Sequence, residues 1–293
     1  MGTALDELLL LLELESLEVN LFRGVSPDED RQRVFGGQVA AQALVAAGRT
    51  VDETRRVHSL HAFFLRPGDP NVPIVYEVDR IRDGRSFTTR RVVAIQHGRA
   101  IFNLAASFQI DEAGPEHCDE MPEVAEPETL PTFVERVEPF IERFGEDFAE
   151  WLVRERPIDS RPVDLPPWLD PTPRAPAQDV WIRANGELPD EPLLHACVVA
   201  YASDLTLLDT AMLPHAIAHT ERAYQIASLD HAMWFHRPFR ADEWLLYHQH
   251  SPSASGARGL AEGSLFRRDG VLAVTVIQEG LIRPLGASPR TSP

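Results

Sequence analysis

Cysteine is scarce: Cys118 and Cys197 are the only two in 293 residues, which excludes a disulfide framework. A reducing compartment suits that usage, and a cytoplasmic location is expected. Basic residues are in deficit, 28 against 45 acidic, and the net charge of -17 sets an average field that repels nucleic acid. A polyanionic ligand therefore needs a local basic patch. Long apolar runs are also lacking; none approaches the ~18 residues that a membrane span needs, so no span is expected. There is no Gly-x-Ser-x-Gly, which disfavours a nucleophile-elbow hydrolase working through a serine acyl-enzyme. His215 and His219, four apart, and His248 and His250, two apart, belong to no recognisable metal motif. No metal is expected.

What is present fits a soluble globular chain, 44% hydrophobic and 25% charged, of a length that suits about two domains. The apolar run Leu8 to Leu12 is flanked by Asp6, Glu7, Glu13 and Glu15, which suits a short amphipathic helix and not a secretory signal. Met1-Gly2 lacks the Ser or Thr at position 6 that myristoylation wants, and Pro289 to Pro293 carries no peroxisomal or retention signal.

The two halves read alike. In the first, an extended segment around Val19 to Phe22 leads through Gly36-Gly37 to an alanine-rich helix, Gln38 to Ala47. Its small side chains let a sheet approach on several sides, so it reads as buried. Strand-like segments follow at His58 to Leu65, Ile74 to Ile81, Ser86 to Gln96 and Ala100 to Gln109, with Asp83-Gly84 and His97-Gly98 as hairpin turns. The second half repeats the order: Val180 to Arg183, a helix from about Leu193 to Leu208, then strands at Ile226 to Phe235, Glu243 to His250, Ala257 to Arg267 and Val271 to Glu279. Asp269-Gly270 marks its last turn. Arg66-Pro67 and Arg237-Pro238 close equivalent strands, and Gln109 and Gln278 end the last strand of each half. Duplication accounts for this.

The expected organisation is an N-terminal unit over 1-112, a Pro- and Glu-rich linker over 113-178 with a helical island near Val134 to Val153, and a C-terminal unit over 179-293. Strands joined by short turns cannot be parallel, which excludes a Rossmann arrangement. One strand, a long helix and a run of antiparallel strands, twice over, predicts an α+β fold in which each helix is wrapped by a curved sheet. Pairing the two sheets edge to edge would protect their edges and leave an apolar tunnel beside a helix end.

Arg33-Val-Phe-Gly-Gly-Gln38, His58-Ser-Leu-His-Ala-Phe-Phe-Leu-Arg-Pro-Gly68, Val180-Trp-Ile-Arg-Ala-Asn-Gly186, Asp230-His-Ala-Met-Trp-Phe-His-Arg-Pro238, Ser253-Ala-Ser-Gly-Ala-Arg-Gly259 and Gln278-Glu-Gly280 resemble the acyl-CoA thioesterase II family. The likeness runs to about Arg283 and takes in Arg161-Pro162-Val163 of the linker. It implies a double hotdog fold, hydrolysis of fatty acyl-CoA to fatty acid and coenzyme A, and association into homo-oligomers through sheet packing. Coenzyme A is then part of the substrate, and no separate cofactor is implied.

Matched position by position, the resemblance implies a catalytic set of Asp204, Ser228 and Gln278 holding a water that attacks the thioester carbonyl while the carboxylate accepts a proton. The residue types suit this work, since a carboxylate, a hydroxyl and an amide can orient both the lone pairs and the hydrogens of one water. The family usually has Thr where this chain has Ser228; the oxygen is kept and the methyl that fixes the rotamer is lost. A plainer reading of Asp204 is a helix cap, and of Ser228 and Gln278 ordinary strand residues. Gln109 has no Asp counterpart on the first helix, so one site per chain is expected.

Gly36 and Gly37 are candidates for holding the oxyanion on helix N–H groups, or else simply permit close packing. His58 is a candidate at the tunnel mouth. Arg80, Arg82, Arg85, Arg90 and Arg91 form a basic cluster for coenzyme A, of which Arg85 is the chosen contact; strand alternation prevents all five from touching one ligand. Ser255 and Arg258 either line the phosphate path or close a strand. Two rival functions share such a fold. One is a hydratase or dehydratase of enoyl thioesters, which would want an Asp and His pair; the other is a non-catalytic acyl-CoA binding protein.

Overall fold

The alanine-rich segment forms helix α2 (Gly36–Gly48), and it is buried on every side from Gly37 to Ala47. Only side chains this small allow strands and a second helix to close on all faces at once. The computed structural model describes residues 3–27, 32–143, 145–170, 172–217 and 223–286, with the side chains of 146–148 and 151 outside the description. His219 and the carboxyl-terminal Pro289 to Pro293 fall outside the described residues.

Ahead of α2 come helix α1 (Ala4–Leu12) and strands β1 (Glu15–Glu18) and β2 (Leu21–Gly24). Thr3 and Asp6 form a capping box that starts α1, which buries Leu5, Leu8 and Leu12. After α2 the first half completes with β3 (Arg55–Phe64), β4 (Ile74–Asp83), β5 (Phe87–Gln96) and β6 (Arg99–Ile110). His97 and Gly98 both take positive φ, 49° and 69°, as a tight hairpin turn requires. Residues of the linker form α3 (Phe133–Val137), α4 (Glu146–Val153) and an edge strand, β7 (Ile158–Pro162).

The second half is β8 (Ala177–Ala184), α5 (Pro192–Ser203), β9 (Tyr224–Ser228), β10 (Asp230–Phe235), β11 (Leu245–Ser255), β12 (Arg258–Arg267) and β13 (Leu272–Pro284). Two differences from the sequence reading matter. Helix α5 stops at Ser203 and not near Leu208, because Asp204 at φ -87°, ψ 0° leaves the helical region. The single strand expected over Ile226 to Phe235 is broken at Leu229, whose N–H donates to the Glu279 carbonyl and whose carbonyl accepts from Phe64, each at 2.9 Å.

Pro192–His215 is long and apolar enough to span a bilayer by length and composition, contrary to the reading that no stretch approaches this. In the fold 78% of that window is buried, as the core helix of the second half and the turns after it.

All strand pairs are antiparallel, and they build one 13-stranded sheet in the order β1-β2-β4-β5-β6-β3-β10-β13-β12-β11-β8-β7, with β9 beside β13. The halves meet at a seam between β3 and β10, where Leu60 faces Met233 and His61 faces Ala232. Reading outwards from that seam gives β3-β6-β5-β4-β2 on one side and β10-β13-β12-β11-β8 on the other, the same layout twice. This is a double hotdog, α+β fold.

Helices α2 and α5 pack antiparallel inside it, with Gly48 against Leu193 and Gly36-Gly37 against Asp204 and Tyr201. One hydrophobic cluster spans both halves, including Leu44, Leu104, Val199 and Val274. Truncating such a residue to alanine typically costs about 2–5 kcal/mol. The linker lies on the outer face of the second half: Met121, Val124 and Leu130 pack on Trp181, Leu246 and Phe266, and Trp181 Nε1 donates to the Ala125 carbonyl at 2.9 Å. Arg161 and Arg183 both lie over the Trp244 ring and both pair with Asp159.

Candidate active site

Asp204 stands at a junction of the two repeats. It is the residue that ends α5, and because the helices are antiparallel it lies at the start of α2. That end of α2 carries no capping side chain, Phe35 being its N-cap, and the positive end of the helix dipole lies beside the carboxylate. Glycine makes the approach possible. A Cβ on Gly36 would lie 2.7 Å from Asp204 Oδ2 and 2.8 Å from the Phe64 ring, and one on Gly37 would lie 2.5 Å from the Tyr201 carbonyl oxygen.

Two side chains from the sheet converge on the other carboxylate oxygen. Gln278 on β13 is fully buried and donates from Nε2 to Asp204 Oδ1 at 2.5 Å, and Ser228, the last residue of β9, donates from Oγ at 3.3 Å. Only the amide nitrogen can donate to a carboxylate, which fixes the orientation of the Gln278 amide. Its Oε1 is then buried and, among the described residues, has no hydrogen-bond partner. A buried acceptor in that condition is costly unless a donor reaches it.

The break at Leu229 is what brings these groups together. Ser228 pairs with Gly280 on β13, and past the break β10 continues along β13 one residue out of register while also pairing with β3. Asp230, just past the break, accepts from the Glu279 N–H at 2.7 Å, and partial burial holds its carboxyl above the usual carboxylate range. Phe64 and Phe35 lay their rings over Gly36 and Gly37, and Phe64 packs on Phe102. A small void between α5 and the sheet is lined by Ile158, Ile182, Val198, Ala202 and Leu245, and none of the three converging residues lines it.

Residues 26–109 match the family model described as acyl-CoA thioesterase N-terminal domain, and residues 153–281 match the acyl-CoA thioesterase model. Acyl-coenzyme A thioesterase 8 of Homo sapiens is 44% identical over 93% of this chain and 88% of its own length. The chain belongs to the acyl-CoA thioesterase family. Acyl-CoA thioesterase 2 of Haemophilus influenzae is 41% identical, covering 97% of this chain and 99% of that one. Among solved structures, an acyl-CoA thioesterase II from Mycobacterium marinum superposes with a TM-score of 0.77 at 45% identity, covering 97% and 100%. The protein is thus an acyl-CoA thioesterase, a hydrolase.

Not every candidate gathers at this thioesterase's junction. His58 sits on the outer face of β3, its Nε2 2.8 Å from Ser107 Oγ and its ring edge-on to Phe87; burial lowers its imidazole pKa. At the rise of an extended strand it is about 20 Å along β3 from Phe64. Arg85 is exposed in the β4–β5 turn, where its carbonyl accepts from Arg55, at the opposite end of α2 from Asp204. Of its neighbours, Arg80 bonds Asn20, Arg91 pairs with Asp79, and Arg90 is buried and spent on Thr50 and Asp83. Ser255 and Arg258 flank the β11–β12 turn; Arg258 donates to Glu279 at 2.8 Å on the outer face of the sheet, the face away from Gln278.

The matching place in the first half is built differently. The residue that ends α2 is Arg49, not an aspartate, and Leu193 of α5 covers Gly48. Gln109 there donates to Glu112 at 3.1 Å. Sequence reasoning passed over Phe64 and His231, although both lie inside the family-like motifs; nothing in a strand pattern says that they face the end of α5. Among the described residues no group of His, Cys, Asp and Glu is arranged to hold a metal ion.

Proposed function

We propose that this thioesterase hydrolyses fatty acyl-CoA by direct attack of water at the Asp204, Ser228 and Gln278 junction, with no covalent acyl-enzyme. One observation carries the reading. Gln278 spends its nitrogen on Asp204 and keeps a buried, unpartnered Oε1 beside the same carboxylate. A water lodged there can donate one hydrogen to Gln278 Oε1 and the other to Asp204, which leaves a lone pair aimed at a thioester carbonyl. Ser228 and the Gln278 amide group hold the carboxylate in place while it works.

The step balances without a cofactor. The water oxygen bonds to the carbonyl carbon as its proton passes to Asp204. The negative oxygen that develops lies within reach of the N–H groups of Gly36 and Gly37 at the start of α2, where a dipole favours it. Collapse breaks the C–S bond, and the departing thiolate takes the proton back from Asp204. Both repeats are needed, since one supplies the oxyanion site and the other the base. Neither the hydratase nor the simple binder has a specific observation in its favour.

Thiol release measured across a series of acyl-CoA chain lengths tests the reading. Asp204→Asn should lose about 10²–10⁴ in kcat with little change in fold, and undiminished hydrolysis by that variant would overturn it. Association of copies through the outer face of the first half is part of the same proposal. The linker covers the second half's outer face, whereas Phe63 and Phe87 of the first half are 54% and 43% exposed. Light scattering of the purified chain measures this.

A further inference from the structure

Ser203, next to the base, is held twice. Its Oγ lies 3.0 Å from the Ala200 carbonyl and 2.9 Å from His231 Nε2, and its own carbonyl accepts from the Tyr247 hydroxyl at 3.1 Å. The Ala200 carbonyl can only accept, so the single Ser203 hydroxyl proton goes to it, and His231 must donate from Nε2. The imidazole is therefore the neutral tautomer with hydrogen on Nε2. At 1% exposure it is a polar ring in a place where an apolar residue would cost less.

Comparison of the two repeats shows where this arrangement occurs. Across the seam His231 faces Ala62 and Met233 faces Leu60; the pseudo-two-fold that matches Arg66-Pro67 with Arg237-Pro238 exchanges these pairs, so Leu60 stands where His231 does. Likewise Gly48 and Arg49 stand where Ser203 and Asp204 do. The imidazole, the serine and the carboxylate occur together in one repeat and are all missing from the other.

We propose that His231 is a positioning residue for the thioesterase reaction, fixing the Asp204 carboxylate by clamping Ser203 in the last turn of α5. With Ser203 pinned at its hydroxyl by His231 and at its carbonyl by Tyr247, the peptide leading into Asp204 cannot rotate. Asp204 Oδ1 then stays in reach of Gln278 and Ser228. The inference rests on Asp204 being the proton acceptor.

Steady-state kinetics of the full chain on decanoyl-CoA test it. His231→Leu should lower kcat about 10- to 100-fold, the scale of an ångström of misplacement, with KM within about twofold. His231→Gln, whose amide nitrogen can reach Ser203, should recover most of the loss. Ser203→Ala should reproduce it, and serves the same comparison should His231→Leu not fold. In an Asp204→Asn background, His231→Leu should add nothing. A folded His231→Leu with parental kcat, or a loss as large in the Asp204→Asn background, overturns the proposal. Full activity of Asp204→Asn alone would remove the catalytic reading and this proposal with it, whereas a silent His231→Leu beside an inactive Asp204→Asn removes only this one.

Discussion

Replacing Gly36 with alanine separates catalysis from packing. The new methyl would lie 2.7 Å from Asp204 Oδ2 and 2.8 Å from Phe64 Cε1, so reaching an ordinary contact of about 3.4–4 Å needs a displacement of roughly 0.7 Å or more. Both neighbours are side chains that can swing, and alanine is the better helix former by about 0.5–1 kcal/mol. Stability should therefore change little. Activity should not survive so well, since a catalytic group must hold its place within about 0.5 Å, and a misplacement of an ångström is worth about 10²-fold, or about 2.7 kcal/mol. Thiol-release kinetics should give a kcat lower by about 10- to 100-fold while the thermal midpoint moves by only a few degrees. Gly37→Ala provides the contrast, for its methyl would meet the Tyr201 carbonyl oxygen at 2.5 Å. Backbone cannot swing aside, so α2 and α5 must part at a cost of about 1–3 kcal/mol, seen in the melting temperature. If Gly36→Ala turned over at the parental rate, the carboxylate would not need the place assigned to it and the reasoning would be wrong.

Other outcomes can be checked on the same material. Burial pushes the His231 pKa down to about 4 from an ordinary 6.5. Above pH 6.5 folded and unfolded chains carry the same neutral ring; between 6.5 and 4 only the unfolded chain takes up the proton. Stability should thus fall by about 3 kcal/mol across that window, and His231→Gln should lose this component of the melting-temperature profile against pH. Ser228→Thr should match or exceed the parental kcat, because a β-branched residue fixes the hydroxyl rotamer in a strand, whereas Ser228→Ala should fall below it; equal rates for all three would exclude the hydroxyl from the site. Gln109→Ala should leave kcat within about twofold, as its end of the fold presents Arg49 in place of a carboxylate, and a large loss would point to a second working site.

Much of the architecture was legible because it is local. The alanines of α2, the alternation in β3 to β6 and the turn residues His97-Gly98 act over a few neighbours, and a duplicated pattern with short turns leaves little choice of topology. The family-like motifs pointed to Asp204, Ser228 and Gln278 as the candidate set. Where local signals competed with long-range pairing, they misled. Nothing within Ile226 to Phe235 announces a break at Leu229, where pairing with β13 slips by one residue between β9 and β10 and only β10 also joins β3. The proline of Arg161-Pro162 hides an edge strand, a position where a missing N–H is tolerated.

Sequence alone determined the two repeats, the buried helices and the antiparallel sheet, and its family-like motifs singled out Asp204, Ser228 and Gln278 as candidates. Only the tertiary structure decided that the start of one repeat's helix meets the end of the other's, which puts Gly36 against Asp204. It also separated His58 and Arg85 from that meeting point and set His231 behind it. The physical reason is range: propensity and periodicity speak for residues within a turn or a strand, while the site is assembled by contacts between segments far apart in the chain, fixed only when the whole sheet closes around both helices.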